Sequence, residues 1–178
     1  MDAEQGCISR LQQISPSMLF CDSHSIYKGK LVDVLPKLDQ VVESLKIEPQ
    51  VFVIPIASSA TRYSLVESFV ERAAAADDLR FNRVSFSHPL VICYSSGTTG
   101  APKCIVHQHG MILNLKKISK LHNSLTENDV VLQYSNTSWV LFYILNGHLT
   151  TGATCICYDG SPMFPDVKQF LRIADKFR

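Results

Sequence analysis

The stretch Tyr94-Ser95-Ser96-Gly97-Thr98-Thr99-Gly100-Ala101-Pro102-Lys103 decides the reading of this chain. Five hydroxyl-bearing side chains, two glycines and a lysine fall within it, directly after the apolar run Leu90-Val91-Ile92-Cys93. Hydroxyls and backbone N–H groups ending in a cation are what a polyphosphate needs. Glycine lets the backbone approach an anion closely, and successive N–H groups in a tight turn form an anion-binding concavity. The plainer alternative is a Ser/Thr-rich turn with no ligand. The stretch is not a Walker loop, which requires Gly-Lys-Ser/Thr leading into a helix. Here Pro102 stands before the lysine, and Cys104 stands where the Mg-binding hydroxyl would be. Cys104-Ile105-Val106-His107 favours a strand, so the loop is expected to be exposed and to join two strands.

Outward from the loop, strands and helices alternate. Ser17–Cys21 is a strand candidate, and Tyr27–Lys30 a turn. Leu31, Leu35, Leu38, Val41, Val42 and Leu45 recur at helical spacing, with Asp33 as a cap and Pro36 in the first turn. Val51–Ile56 is the next strand, which makes a strand–helix–strand unit and a parallel pair. Ser64-Leu65-Val66-Glu67 has capping-box spacing ahead of an apolar stripe. Residues 77–87 read as a polar surface connection.

A helix is expected over 108–121, with Lys116, Lys117 and Lys120 on its solvated side. Val130–Tyr134 reads as a strand and Trp139–Leu149 as a buried helix, ended by Thr151-Gly152 through a left-handed cap. Thr154–Tyr158 is a strand closed by the turn Asp159-Gly160-Ser161-Pro162, and helical spacing resumes from Val167. The pattern is α/β, with layered sheets and flanking helices.

Ser95-Ser96-Gly97-Thr98-Thr99-Gly100-Ala101-Pro102-Lys103 resembles the phosphate loop of the AMP-forming adenylating enzymes. That family holds acyl-CoA synthetases, luciferases and peptide-synthetase adenylation domains. His88-Pro89-Leu90, Cys104-Ile105-Val106-His107 and Tyr158-Asp159-Gly160-Ser161-Pro162 resemble its acetoacetyl-CoA synthetase branch. The resemblance runs from about Pro16 onward. It implies an incomplete portion of the family's N-terminal domain over residues 1–178, without the small C-terminal domain. The family's later Tyr-Gly-x-Thr-Glu segment, ribose-binding aspartate, hinge and catalytic lysine have no counterpart in these residues.

The resemblance also implies chemistry. A short carboxylic acid is activated with ATP and Mg2+ to an acyl-adenylate, and CoA then takes the acyl group as a thioester. Ser95, Ser96, Gly97, Thr98, Thr99, Gly100 and Lys103 would bind the ATP phosphates. Trp139 would shorten the acyl pocket; its alternative is a core tryptophan. Here Ser138 precedes Trp139 where the family usually has glycine. No catalytic residue and no metal ligand is assigned. The alternative function is a non-catalytic remnant that binds nucleotide weakly or associates with a full-length relative. Missing layers would leave apolar surface exposed.

Composition sets outer bounds. The chain has 178 residues, 46% of them apolar, and a net charge of +1. Whole-chain charge therefore makes no electrostatic case for nucleic acid or an anionic membrane. No apolar run approaches the roughly 18 residues of a membrane span, and the N-terminus lacks a secretory pattern. The six cysteines are scattered, which suggests buried free thiols in a reducing, cytoplasmic setting. Cys155 and Cys157 share a strand face without further soft ligands. His107 and His109 have no acid partner in sequence, and Asp159 reads as a turn residue. A separate kinase is disfavoured by the missing Mg ligands.

Overall fold

A computed structural model describes residues 3–57, 60–73, 80–95 and 101–177. The chain forms two compact units, Met1–Asn82 and Arg83–Arg178, which divide within the expected 77–87 connection.

The first unit is built on a parallel sheet. Strand β1 (Met18–Asp22) lies beside β4 (Gln50–Ile54), with Leu19 opposite Val51 and Cys21 opposite Val53. A short β5 (Ser64–Leu65) joins the other edge of β4. Val51, Phe52 and Val53 are all buried, as befits a central parallel strand covered on both faces. Alternation sends Val51 and Val53 toward helix α2 (Leu35–Ser44), where they cluster with Leu35, Leu38, Leu19 and Cys21. Phe52 points the other way, stacked on Phe20 at 5.4 Å and tilted against Phe69 of α3 (Val66–Ala73) at 5.0 Å. Burying an aromatic side chain of this kind contributes about 2–3 kcal/mol.

Between β1 and α2 the expected turn becomes a hairpin, β2 (His24–Tyr27) and β3 (Lys30–Asp33). Lys28 and Gly29 both have positive φ, 48° and 72°. This is the two-residue turn that matches strand twist. Leu31 is thus a strand residue paired with Ile26 rather than the start of a helix. The helix begins at Leu35, whose N–H is accepted by Asp33 Oδ1 at 2.9 Å. Pro36 occupies its first turn as expected. Ser64 does not cap α3, because backbone pairing with Phe52 takes it into the sheet. The sequence reading gave no element to residues 3–14, which form α1 (Ala3–Ile14). Glu4 meets Lys37 at 3.4 Å, and Gln12 donates to the Ser44 carbonyl at 3.2 Å.

Ser23 is almost fully buried, and its Oγ accepts from the Ile56 N–H at 2.9 Å. Replacement by alanine strands that donor. A buried unsatisfied group costs about 1–2 kcal/mol. Urea denaturation of Ser23→Ala should show that loss with an unchanged slope.

In the second unit, β6 (Pro89–Ser95) and β7 (Lys103–Gln108) form an antiparallel hairpin. Helix α4 (Gly110–Lys117) follows and widens into a π turn over Ile118–His122. Strands β8 (Val130–Leu132) and β9 (Thr154–Ile156) pair in parallel, linked through α5 (Val140–His148). Leu145 and Ala153 are buried there, and the Cys155 thiol donates to the Leu145 carbonyl at 3.1 Å. Gly152 follows α5 and a short 3-10 turn with φ of 87°, the left-handed cap that the sequence suggests. Helix α6 (Gln169–Lys176) closes the unit, its first turn held by Asp166, which accepts from Lys168 N–H and pairs with Arg172.

The π turn has a consequence inside this unit. It turns Ser119 inward, where its hydroxyl donates to the Leu115 carbonyl at 2.8 Å and meets His148 Nδ1 at 2.8 Å. With the serine proton committed to Leu115, Nδ1 carries a proton and donates it to the serine oxygen. Burial pushes the His148 pKa below the ordinary histidine value. The unfolded chain therefore binds the proton more readily. The stability His148 contributes is fully present above about pH 6.5 and is lost as pH falls through the lowered value. Melts of His148→Gln from pH 7.5 to 5 should show a flatter acid limb than the parent.

All six cysteines are free, but only Cys93 is buried. Cys21 and Cys155 are half-buried, and Cys7, Cys104 and Cys157 are exposed, which corrects the expectation of buried thiols. Their surroundings are strand edges and helix surfaces rather than a continuous core. Large apolar side chains are also exposed in both units, among them Val70, Phe81, Phe86 and Leu171.

Candidate functional site

The hairpin places Ser95 and Lys103, the two ends of the hydroxyl-rich stretch, side by side. Ser95, the last residue of β6, is the register partner of Lys103, the first of β7. The loop thus joins two adjacent strands, as its apolar flanks require. Ser95 is half-buried, Lys103 is exposed and Pro102 is buried at the base. Ser96, Gly97, Thr98, Thr99 and Gly100 lie outside the described residues. Antiparallel pairing holds the strand ends about 5 Å apart, so a lysine at the second end returns its charge to the place where the hydroxyl run starts.

Behind the hairpin, α4 and α5 form an apolar cleft of about 410 Å³, lined by Leu90, Val91, Met111, Leu115, Tyr143 and Thr150 among others. Tyr143 lies near Cys93, and burial raises its phenol pKa, with Cys93 adding to the shift. Thr150 shares the cleft with Leu90 and Val91 at the start of β6. Tyr143, near the start of α5, and Thr150, just past its end, thus both reach this cleft.

Trp139 is not a core residue. It sits at the N-cap of α5 in extended geometry and is 47% exposed. Asn136 Oδ1 accepts from Ser138 N–H at 3.1 Å and from Ser138 Oγ at 2.6 Å. The Asn136 carbonyl takes the Trp139 N–H at 3.2 Å, so a tight turn presents the indole. Tyr134 and Tyr158 follow the C-terminal ends of β8 and β9 with ring centroids 6.4 Å apart. In parallel sheets ligands bind outside those ends. The sequence reading used Tyr158 within the Tyr158–Pro162 resemblance and Tyr134 as a strand end, and gave neither a site role. His107 and His109 are half-buried; the His109 ring lies 5.8 Å from that of His88. Gly160 has φ of 113°, consistent with Asp159 belonging to a turn.

The matched family model is described as AMP-binding enzyme and spans residues 4–178. The chain belongs to that family. It is 38% identical over 184 residues to acetoacetyl-CoA synthetase of Danio rerio, covering 96% of this chain and 27% of that protein. The malonamoyl-CoA synthetase of Penicillium aethiopicum is 33% identical, with 89% of this chain and 24% of that protein covered. In structure, the acetoacetyl-CoA synthetase from Streptomyces lividans superposes with a TM-score of 0.88 at 34% identity, over 97% of this chain and 27% of that one. The chain thus spans about a quarter of the length of these relatives. The AMP-binding family match begins at residue 4, so it takes in α1, ahead of the Pro16 start expected from sequence.

Proposed function

We propose that these residues supply the phosphate-holding hairpin and the acid-side helix of an acid–thiol ligase of the acetoacetate–CoA type. The pairing of Ser95 with Lys103 carries the reading, since it closes the hydroxyl-rich loop at the end of two strands. In the reaction a carboxylate oxygen attacks the α-phosphate of ATP, the bond to the β-phosphate breaks and pyrophosphate leaves. The CoA thiol then displaces AMP from the acyl-adenylate. Negative charge grows on the departing phosphates, and donors held ready there lower the barrier. Ser95, Ser96, Thr98 and Thr99 donate hydroxyls, Gly97 and Gly100 offer backbone N–H groups, and Lys103 brings a mobile cation. Trp139 bounds the acid.

Among the described residues no group of three or more His, Cys, Asp or Glu could hold a metal. In this reading Mg2+ enters with ATP, as part of its complex. The reading has its setting in the cytoplasm.

The test is a chimaera. This chain replaces the matched quarter of the Streptomyces lividans protein, and pyrophosphate release is followed over a panel of acids. Acid-dependent release with a preference for short acids is expected, and Trp139→Gly should extend the preference to longer ones. The 178 residues by themselves should bind ATP weakly and release no pyrophosphate. A folded chimaera without acid-dependent release would favour a non-catalytic remnant that binds nucleotide weakly or associates with a full-length relative.

A further inference from the structure

The net charge of +1 conceals a segregation. Residues 79–126 contain six Lys and Arg residues and not one Asp or Glu. Half of those cations, Lys116, Lys117 and Lys120, fall within five positions on α4 and its π turn. The helix is two-faced. Met111, Leu115, Ile118 and Ser119 turn inward, with Leu115 against Gly147 of α5. The opposite face is exposed and carries all three lysines, none of them in an ion pair among the described residues.

That exposed face is not purely polar. Leu113 is 60% and Leu121 73% exposed. At 100° per residue along α4, Lys116 lies about 60° from Leu113 on one side and Lys117 about 40° on the other, so the leucine is flanked by ammonium groups. Lysines around exposed leucines suit the boundary of an anionic bilayer, where ammonium groups meet headgroup phosphates and leucines enter the acyl boundary. A nucleic acid would use the lysines but leave the leucines in water. No described helix is long and apolar enough to cross a membrane, so the contact is one of lying on the surface.

We propose that the Leu113–Leu121 face of α4 docks the protein onto anionic lipid bilayers. The binding is weak and salt-sensitive, since one short amphipathic face gives only reversible attachment. The experiment is co-sedimentation of the 178-residue chain with phosphatidylcholine vesicles, plain or containing about 30 mol % phosphatidylserine. Partitioning should appear only with the anionic vesicles and fall as ionic strength rises. The triple variant Lys116→Gln/Lys117→Gln/Lys120→Gln should lower it by about a hundredfold, given roughly a fivefold effect per surface lysine. Leu113→Ser/Leu121→Ser should lower it about tenfold at every salt concentration. Lys28→Gln/Lys30→Gln, exposed residues of the first unit, should leave it unchanged. All these positions are exposed, and circular dichroism checks that the variants fold. Equal partitioning to neutral vesicles, or no effect of the lysine triple, overturns the proposal. So does release by an acidic duplex oligonucleotide together with indifference to the leucine pair, which would assign the face to a polyanion.

Discussion

Lys103→Ala in the chimaera should lower acid-dependent pyrophosphate release by about a hundredfold, and Thr98→Ala by a similar factor. Removing one preorganised donor from developing charge costs about 3 kcal/mol of transition-state stabilisation, and each 1.4 kcal/mol is about tenfold in rate. Lys103 heads β7 opposite Ser95, so its ammonium springs from a backbone position fixed by the ladder. It is exposed, so alanine removes the charge without opening a cavity, and the melt should not move. The loss should fall mainly on kcat, because the charge that Lys103 meets grows as pyrophosphate departs. Lys103→Arg should recover only part of the rate, since a planar fork does not take the place of a compact ammonium. Unchanged release by Lys103→Ala would remove this residue from the phosphate site and leave the loop as a Ser/Thr-rich turn.

The hairpin was legible because two features coincide in sequence. β-favouring runs flank a segment too rich in glycine and hydroxyls to continue either strand, so β6 and β7 had to meet at Ser95 and Lys103. Lys28-Gly29 was legible for the same local reason, two positions that need positive φ. Other positions obeyed tertiary context. Leu31 fits the helical series 31, 35, 38, but the hairpin turn just before it makes strand pairing with Ile26 the nearer option. Ser64 and Glu67 have the spacing of a cap, yet the open edge of β4 takes Ser64 into the sheet. Trp139 heads an apolar run, so burial seemed its alternative role; the Asn136 turn holds it at the helix end instead. The lysines of α4 were legible as a solvated face. The leucines among them were not, because only packing shows which face of an apolar helix is left over.

The contact between α4 and α5 was the least legible feature, and it carries the second large effect. Gly147→Val should destabilise the second unit by about 3 kcal/mol, at the upper end of what overpacking costs. A glycine inside a helix reads as a weakness of about 1 kcal/mol relative to alanine, so sequence alone offers no reason for it. The structure does. A Cβ at Gly147 would lie 2.7 Å from the Leu115 Cβ and 2.9 Å from its Cδ1. The nearer atom is fixed to the α4 backbone and cannot rotate away, so the helices must separate. Separation also stretches the bond between Ser119 and His148, whose residues lie four and one positions along from the contact. Gly147→Ala gains helix propensity and loses packing, for a net cost of about 1–2 kcal/mol. Adding Leu115→Ala should not rescue either variant, because alanine keeps the Cβ that makes the conflict. Thermal and urea melts of the single and double variants measure this directly. An unchanged melt for Gly147→Val would mean that the two helices do not meet at this glycine, and full rescue by Leu115→Ala would move the conflict from the backbone-borne carbon to the flexible end of the leucine.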